Sequence, residues 1–184
     1  MTSEEALERL LSGNEKYLTA IHSLGLISPA IRKETAENGQ HPYAVVVTCA
    51  DSRVIPEAIF SAGIGELFVI RVAGNVIGAH ELGSIEYALE HLGCRLVVVL
   101  GHTQCGAVGA AIHHEVDGHI QFLVDAIRLA IGSETDDVKA SCLNACAGAA
   151  KIREAFAHDY PDDEDLRVTA ALYYIDTGRV EVVS

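Results

Sequence analysis

Basic residues are scarce in this 184-residue sequence. The 13 lysines and arginines stand against 26 acidic residues, which gives a formal net charge of −13 at pH 7. Proteins that bind nucleic acids usually carry a basic patch that neutralises phosphate groups. We therefore expect no nucleic-acid partner, and we interpret the excess of acid as a surface in contact with water.

Long apolar runs and export signals are also missing. No run approaches the 18 apolar residues that predict a membrane-spanning helix, so no membrane association is expected. The N-terminal segment MTSEEALERLL is acidic and amphipathic, and it lacks the basic and apolar regions of a signal peptide. The five cysteines are an odd number, which disfavours a disulfide framework. We therefore expect a cytoplasmic protein with reduced thiols.

The sequence has the length and composition of one folded domain. Its 184 residues, 49% of them hydrophobic, are enough for a sizeable core. Neither an internal repeat nor a low-complexity segment is present, so we predict a single domain over residues 1–184 with an N-terminal helical arm over residues 1–35. The apolar stripe of this arm comprises Ala6, Leu7, Leu10, Leu11 and Tyr17.

Apolar periodicity and turn residues predict alternating strands and helices. Strands 43–49, 67–71 and 95–100 are apolar on both faces, which is typical of a mainly parallel sheet that is covered on both sides. Strands 166–175 and 179–183 are joined by a hairpin-like turn and are therefore antiparallel. The turn is Asp176-Thr177-Gly178, and helices are predicted over 3–20, 56–60, 79–92, 119–131 and 136–158 and from about residue 105.

The predicted fold class is α/β. A mainly parallel β-sheet of about five strands, the last one antiparallel, is flanked by helices and preceded by the helical arm. Ligands in open α/β sheets bind beyond the carboxyl ends of the strands. Polar residues follow two strands at that end, at 49–53 and at 102–105, and they meet in one crevice if the two strands are neighbours.

Cys49, His102 and Cys105 are the candidate metal ligands. Zinc prefers sulfur and nitrogen donors, and three protein ligands leave the fourth position open, as in catalytic sites. His102 and Cys105 are separated by two residues in a strand-to-helix turn, a spacing that lets both side chains face one ion. Cys105 is expected in the first turn of the following helix, where the helix dipole favours a thiolate.

Asp51 and Arg53 follow Cys49 closely. A carboxylate beside a guanidinium can form a bidentate pair that keeps the carboxylate ionised and oriented. Near zinc, such an Asp51 either accepts a hydrogen bond from metal-bound water or hydroxide, or binds the metal as a fourth ligand and closes the site. A purely structural ion pair is the third interpretation of the same residues.

Several segments between about residues 40 and 183 carry a family resemblance. Two of these segments, C-x-D-S-R from residue 49 and G-H-x-x-C-G from residue 101, form at this separation a pair of motifs that is highly specific for one family. The segments are C-A-D-S-R-V at 49–54, R-V-A-G-N at 71–75, S-I-E-Y-A at 84–88, G-H-T-Q-C-G-A at 101–107 and A-L-Y-Y-I-D-T-G-R-V-E at 171–181. They resemble the signature segments of the β-class carbonic anhydrases.

The resemblance implies an enzyme with one Zn²⁺ per chain that reversibly hydrates CO2 to bicarbonate and a proton. Cys49, His102 and Cys105 match the family's zinc ligands. Asp51 and Arg53 match a catalytic dyad that orients the attacking zinc-bound hydroxide. The substrate-binding residues implied by the resemblance are Gln40, Phe68, Ala73, Tyr87 and Gly106.

The resemblance also indicates a subgroup. A regulatory bicarbonate pocket in part of the family uses a tryptophan near the first ligand, and this chain contains no tryptophan. Gln40 is similar to a residue of the plant-like subgroup, in which water occupies the fourth position on zinc. Val72 departs from the asparagine of many members, a change with no expected effect on zinc.

The family implies homodimers that often assemble into tetramers or larger oligomers. The arm over residues 1–35 is suited to pack on a partner subunit, and a free sheet edge invites extension across a two-fold axis. Phe68 and Tyr87 match pocket residues that in the family come partly from the neighbouring subunit.

Three functions remain open at the level of sequence. They are a carbonic anhydrase, a hydrolase of a CO2 analogue such as carbonyl sulfide or carbon disulfide at the same zinc, and a non-catalytic zinc-binding or regulatory module. The presence of Asp51, Arg53 and Gln40 disfavours the module.

Further candidate ligands have simpler interpretations. Cys94, Cys142 and Cys146 are expected to be buried, although Cys142 and Cys146 lie four residues apart on one helix face and a redox pair is the alternative. A second metal site or a solvated polar turn is predicted for the loop with His113, His114, Glu115, Asp117 and His119.

Overall fold

The computed structural model describes residues 1–22, 25–113, 118–158, 160 and 165–183. The described residues contain one five-stranded sheet. Its strands are β1 (Ala44–Thr48), β2 (Leu67–Arg71), β3 (Leu96–His102), β4 (Arg167–Tyr173) and β5 (Val180–Val182).

The strand order of the sheet is β2-β1-β3-β4-β5. The first four strands are mutually parallel, and β5 pairs antiparallel with β4. The predicted α/β fold class with an antiparallel last strand is confirmed. Strands β1 and β3 are direct neighbours, with Thr48 opposite Leu100, so the polar segments that follow them emerge side by side.

Helices cover both faces of the sheet. Helices α1 and α3 pack on one face, and α4 and α7 pack on the other. Helices α5 and α6 lie beyond the carboxyl ends of β1 and β3. The helices are α1 (Ser3–Tyr17), α2 (Pro29–Asn38), α3 (Pro56–Ile59), α4 (Ala79–Leu92), α5 (Gly106–Ile112), α6 (Gln121–Ile131) and α7 (Asp137–Phe156), with 3₁₀ turns at Ala73–Asn75 and Gly118–Ile120.

The core has two layers because successive residues of a strand point to opposite faces of the sheet. Val46 and Val98 face Leu10 of α1 and Ile59 of α3. All residues of β1 and β3 are buried, as expected for strands between two helical layers. The face towards α4 and α7 contains Val45, Val47, Val97, Val99, Ile85, Leu89, Ala145 and Ile152.

Helix α1 packs on the sheet of its own chain. Thr2 and Glu5 form a capping box at its start, and Leu7 and Leu10 are buried in the core. Asn14 fastens the helix to the end of the sheet, because its Nδ2 donates to Gly178 O at 2.9 Å and its Oδ1 accepts from the backbone of β5. The apolar face of the arm is thus covered within the chain, and packing on a partner stays a prediction for its other residues.

Helix α2 is absent from the helices predicted from the sequence. Its start carries a recognisable signal, since the Ser28 hydroxyl accepts from the Ile31 N–H and Pro29 occupies the first turn. None of its residues is buried, so it has no apolar periodicity by which to predict it. The helix predicted over 3–20 also ends earlier, at Tyr17, and the next residue, Leu18, is exposed.

Two boundaries at the carboxyl end of β3 differ from the prediction. The strand continues to His102, which pairs with Tyr173 of β4, so this candidate ligand lies in the sheet itself. Cys105 is the N-cap residue of α5, one position before the first turn in which it was expected.

In the described part of the chain, no helix combines the length and apolarity needed to cross a membrane.

Candidate metal centre

Cys49, His102 and Cys105 converge at the carboxyl ends of β1 and β3. Cys49 directly follows β1, His102 ends β3, and Cys105 follows in the turn before α5. One ligand atom of each residue lies within 4.8 Å of the ligand atoms of the other two. All three residues are buried, with exposures of 5%, 1% and 2% in that order. The structure therefore brings together the three ligands predicted from the sequence.

Helices α5 and α6 form an apolar cover over this cluster. Cys49 and Cys105 belong to a third core cluster, together with Val108 of α5 and Val124 and Ile127 of α6. A cluster of thiols and an imidazole under such a cover is shielded from bulk water. Low local dielectric strengthens any charge interaction there.

His102 presents one ring nitrogen to the cluster. Its Nδ1 lies 2.9 Å from Thr103 O, a contact in which Nδ1 carries the hydrogen and donates it to the carbonyl. Its buried Nε2 has no hydrogen-bond partner among the described residues. A carbonyl that binds one ring nitrogen sets the tautomer and leaves the other nitrogen free for a metal.

The two thiols have opposite pKa shifts, so that Cys49 carries the negative charge and Cys105 keeps its proton near neutral pH. The pKa of Cys49 is lowered to about 4, first because of the neighbouring Cys105 thiol and also because of His102 and the backbone of Gly74 and Asp51, against the effect of burial. The pKa of Cys105 is raised, because of Cys49 and then because of burial. A divalent cation among these groups would compensate the charge and engage Nε2 of His102. The donor set therefore fits zinc, which prefers thiolate and imidazole.

Gly74 is a site residue that was not among the predicted ones. Its backbone N–H donates to Cys49 Sγ at 3.2 Å. Gly74 has a φ of 71°, and a Cβ there would lie 2.6 Å from Cδ1 of Ile127. The positive φ and this close approach favour glycine. The R-V-A-G-N segment contains Gly74, but no function was predicted for this residue from it.

Asp51 and Arg53 form the predicted bidentate pair. Arg53 Nε donates to Asp51 Oδ1 at 3.0 Å, and Arg53 Nη2 donates to Oδ2 at 2.7 Å. The backbone N–H of Arg53 adds a third bond to Oδ1 at 2.9 Å. These bonds hold the pKa of Asp51 below its usual range, although burial opposes them, so the carboxylate is ionised near neutral pH.

Arg53 also joins the two loops of the site. Its Nη2 donates to Gln104 O at 3.1 Å, in the turn between His102 and Cys105. Gln104 has a φ of 56°, and its N–H donates to Asp137 Oδ2 at 2.7 Å at the start of α7. The turn that carries Cys105 is thus held from both sides.

The peptide backbone around Cys49 has a second guanidinium anchor. Arg71, the last residue of β2, donates from Nε to Cys49 O at 3.3 Å and from Nη2 to Asp51 O at 2.7 Å. Arg71 belongs to the segment noted for its resemblance, but no function was predicted for it. The carbonyls of Cys49 and Asp51, in the loop that carries the first ligand, are thereby fixed.

Two of the five predicted substrate-binding residues adjoin the cluster in the same chain. Ala73 precedes Gly74 in the 3₁₀ turn, and Gly106 follows Cys105 as the first residue of α5. Among the described residues, no atom outside its own helix backbone and chain neighbours lies within 4 Å of the position that a Cβ on Gly106 would take, so the space beside its Cα is open.

Gln40, Phe68 and Tyr87 lie away from the metal ligands of their own chain. Gln40 precedes β1, at the opposite end of the strand from Cys49. Phe68 pairs with Val45, which places it roughly 13 Å from the level of Cys49, since a strand rises about 3.3 Å per residue. Tyr87 lies beside Phe68, with 6.1 Å between their ring centroids, and is 48% exposed. One chain does not assemble all the predicted site residues.

The remaining cysteines lie outside the cluster. Cys94 is buried, as predicted, and its Sγ donates to Pro42 O at 3.3 Å. Cys142 and Cys146 are only half-buried, which differs from the prediction, because α7 turns that face towards the edge of the sheet near Val183. Residues 114–117 of the histidine-rich loop lie outside the described residues, and with them most of the predicted second metal site.

Comparison with known proteins agrees with this architecture. The model of the carbonic anhydrase family matches residues 44–180, which include all three candidate ligands. The crystal structure of the β-carbonic anhydrase CafA of Aspergillus fumigatus is similar, with a TM-score of 0.72 and 25% identity over 84% of this chain and 81% of that chain. The chain belongs to the β-class carbonic anhydrase family.

Two curated relatives show how far the similarity extends. Carbonic anhydrase 2 of Mycobacterium tuberculosis is 47% identical over 113 residues, which cover 61% of this chain and 54% of that protein. This match thus spans about half the length of that relative. The carbonic anhydrase of Mycolicibacterium smegmatis is 34% identical over 165 residues, which cover 83% of this chain and 80% of that protein.

Proposed function

We propose that this protein is a zinc enzyme that reversibly hydrates CO2 to bicarbonate and a proton. The observation that carries the proposal is the buried Cys49-His102-Cys105 cluster with the Asp51–Arg53 pair beside it. Zinc bound by these three ligands would act as a Lewis acid that makes water a nucleophile at neutral pH.

Asp51 is suited to orient the attacking water. An ionised carboxylate only accepts hydrogen bonds and has about four acceptor positions. Arg53 fills three of them, two on Oδ1 and one on Oδ2, which leaves one on Oδ2. A water beside Oδ2 would donate a hydrogen bond to it and direct its lone pairs away from the carboxylate.

The same contacts favour the open form of the site. Both oxygens of Asp51 are engaged by Arg53, and the carboxylate is not part of the three-ligand cluster. In this conformation, a zinc held by the three ligands would leave its fourth position to exchangeable water, which agrees with the plant-like subgroup suggested by Gln40. Ligation of the metal by Asp51 requires that the pair with Arg53 breaks.

We infer that the substrate pocket is completed by a second copy of the chain. Ala73 and Gly106 adjoin the cluster of their own chain, whereas Gln40, Phe68 and Tyr87 lie at the other end of the sheet. A two-fold axis would bring the second group of one chain to the cluster of the other. The Phe68 and Tyr87 rings then offer an apolar surface to CO2, and Gln40 offers an amide to its oxygens.

Gly106 supplies a backbone donor for the product. As the first residue of α5, it has an N–H without an acceptor inside the helix. This N–H can donate to an oxygen of bicarbonate. The proposed assembly is a homodimer or a larger homo-oligomer, and the thiolate ligands favour a reducing compartment, the cytoplasm.

The test combines metal analysis with rapid kinetics on the purified protein. We expect one zinc per chain and CO2 hydration in a stopped-flow pH-indicator assay, with carbonyl sulfide measured in parallel. Hydrolysis of carbonyl sulfide without CO2 hydration would instead identify a CO2-analogue hydrolase. Bound zinc with turnover of neither substrate would refute an enzymatic function.

A further inference from the structure

We propose that Asn144 of α7 is a positioning residue for the ligand Cys49 and acts on it through the backbone of Gly74. The inference rests on the proposed zinc site and goes beyond its ligands and the Asp51–Arg53 pair. Asn144 touches neither the metal ligands nor the dyad by any hydrogen bond that the structure shows; its contact is with the carbonyl of Gly74, the residue whose N–H donates to Cys49.

The first step of the connection joins Gly74 to the ligand sulfur. The N–H of Gly74 donates to Cys49 Sγ at 3.2 Å in a buried environment. A backbone donor aimed at a thiolate stabilises its charge and fixes the direction of its lone pairs. The position of this N–H therefore affects how Cys49 holds a metal.

The second step joins Asn144 to the same glycine. Asn144 Nδ2 donates to Gly74 O at 2.8 Å, and the side chain is buried. The N–H and the carbonyl of Gly74 belong to the two peptide groups that flank one Cα. Holding the carbonyl thus limits the rotation that would turn the N–H away from Cys49.

Glycine needs this support because its backbone is unusually free. Gly74 has a φ of 71°, and the following residue, Asn75, has a φ of 45°. The turn has other anchors, since Val72 N–H donates to Thr48 O and Asn75 N–H donates to Val72 O. Neither of these bonds holds Gly74 itself, whereas the bond from Asn144 does.

A residue that merely joins α7 to the turn would affect stability without affecting the metal. Asn14 offers a matched control, because it is equally buried and its Nδ2 also donates to backbone carbonyls, those of Ile59 and Gly178. Asn14 is a residue of α1 that binds Gly178 and Val180 at the start of β5, and no hydrogen bond among the described residues joins it to Cys49 or Gly74. Asn14→Ala therefore removes the same kind of bond at a place outside the cluster and outside the turn that contains Gly74.

The test measures zinc affinity in the full chain by competition with a chromophoric chelator. We expect Asn144→Ala to raise the Kd for zinc about 10- to 100-fold, the usual effect of losing support behind a metal ligand, and Asn14→Ala to leave it within about twofold. In Co²⁺-loaded protein, the thiolate-to-cobalt absorption should change in Asn144→Ala and stay as in the wild type in Asn14→Ala. If Asn144→Ala does not fold, Asn144→Ser, which keeps a polar group in the site, is measured in the same way.

The outcomes separate this inference from the proposed function. An unchanged zinc Kd in the folded Asn144 variant, or an equal rise in Asn14→Ala, overturns the positioning role while the zinc site stands. A wild-type protein that binds no zinc overturns the proposed function as well. A raised Kd confined to the Asn144 variant supports the assignment.

Discussion

Arg53 donates hydrogen bonds to both carboxylate oxygens of Asp51, at 3.0 Å and 2.7 Å. The same guanidinium donates to the carbonyl of Gln104, in the turn that carries Cys105. One side chain thus orients the carboxylate and ties the loop after β1 to the loop after β3. The planar, forked guanidinium makes this arrangement specific to arginine.

Loss of the Asp51 carboxylate should separate catalysis from metal binding. We expect Asp51→Asn to keep its zinc and to lose CO2 hydration about 100-fold or more, because the amide can donate as well as accept and no longer orients the water. The control is Glu181→Gln on β5, which breaks an ion pair with Arg179 and should be fully active. Near-wild-type turnover of Asp51→Asn would remove Asp51 from the mechanism.

The Asp51 pair should also contribute to stability in a pH-dependent way. The pKa of Asp51 is lower in the folded protein than the value of about 3.9 in an unfolded chain. The unfolded state therefore binds more protons at a pH between the two pKa values. The contribution is complete above about pH 5 and is lost as the pH falls through the folded pKa. We expect the difference in unfolding free energy between metal-free wild type and Asp51→Asn to shrink towards low pH in urea titrations. A difference that is the same at every pH would contradict the assignment.

The ligand set can be tested with two cysteines that differ in position. Cys105→Ser should lose most of its zinc at neutral pH, because a serine hydroxyl is not deprotonated there and is a poor ligand for zinc. Cys142→Ser should keep its zinc, since Cys142 lies outside the three-ligand cluster. Metal analysis after gel filtration decides, and equal zinc in the two variants would show that the ligands are wrongly assigned.

A pocket made by two chains predicts complementation between inactive variants. A Gln40→Ala chain keeps its metal ligands, and a Cys105→Ser chain keeps its Gln40. In a hybrid dimer purified through two different tags, one complete site forms if Gln40 acts on the partner's metal. We expect about half of the wild-type hydration rate per hybrid dimer.

The control for this experiment uses residues of one chain. A hybrid of Asp51→Asn and Cys105→Ser chains should stay inactive, because Asp51 lies beside the metal ligands of its own chain. An inactive hybrid with Gln40→Ala would mean that Gln40 serves its own chain or no site at all.

Two glycines should respond to alanine in opposite ways. Gly74→Ala should lower the free energy of unfolding by at least about 1–3 kcal/mol, because φ is 71° and Ile127 occupies the space of the new Cβ. Gly83→Ala, in α4 with open space around it, should raise it by about 0.5–1 kcal/mol, since alanine is the better helix former. Urea denaturation measures both, and a stable Gly74→Ala protein would show that the turn can rearrange.

The sequence predicted elements whose pattern is local. The apolar runs of β1, β2 and β3 and the periodic helices α4 and α7 were found within a few residues of their bounds. Helix α2 was missed, because it buries no residue and so lacks the apolar stripe by which helices are predicted. The extension of β3 to His102 was also missed, since it depends on pairing with Tyr173 of a distant strand.

The candidate site divides in the same way. Residue chemistry and spacing were enough to select the residues that lie in two short segments, 49–53 and 102–105. These are Cys49, Asp51, Arg53, His102 and Cys105. Gly74 and Asn144 could not be selected in this way, since their function depends on a backbone φ and on a contact between residues far apart in the chain.

By itself the sequence determined which atoms are available: two thiols, an imidazole and a carboxylate–guanidinium pair at predicted strand ends. Only the tertiary structure decided that β1 and β3 are neighbours, and hence that these atoms meet within 4.8 Å. It also showed that Gln40 and Phe68 lie at the opposite end of the sheet from their own metal ligands. The physical reason is that the local sequence sets which side chains of a strand point to each face of the sheet. Which strands are neighbours, and so which strand ends meet, depends on pairing between residues far apart in the chain.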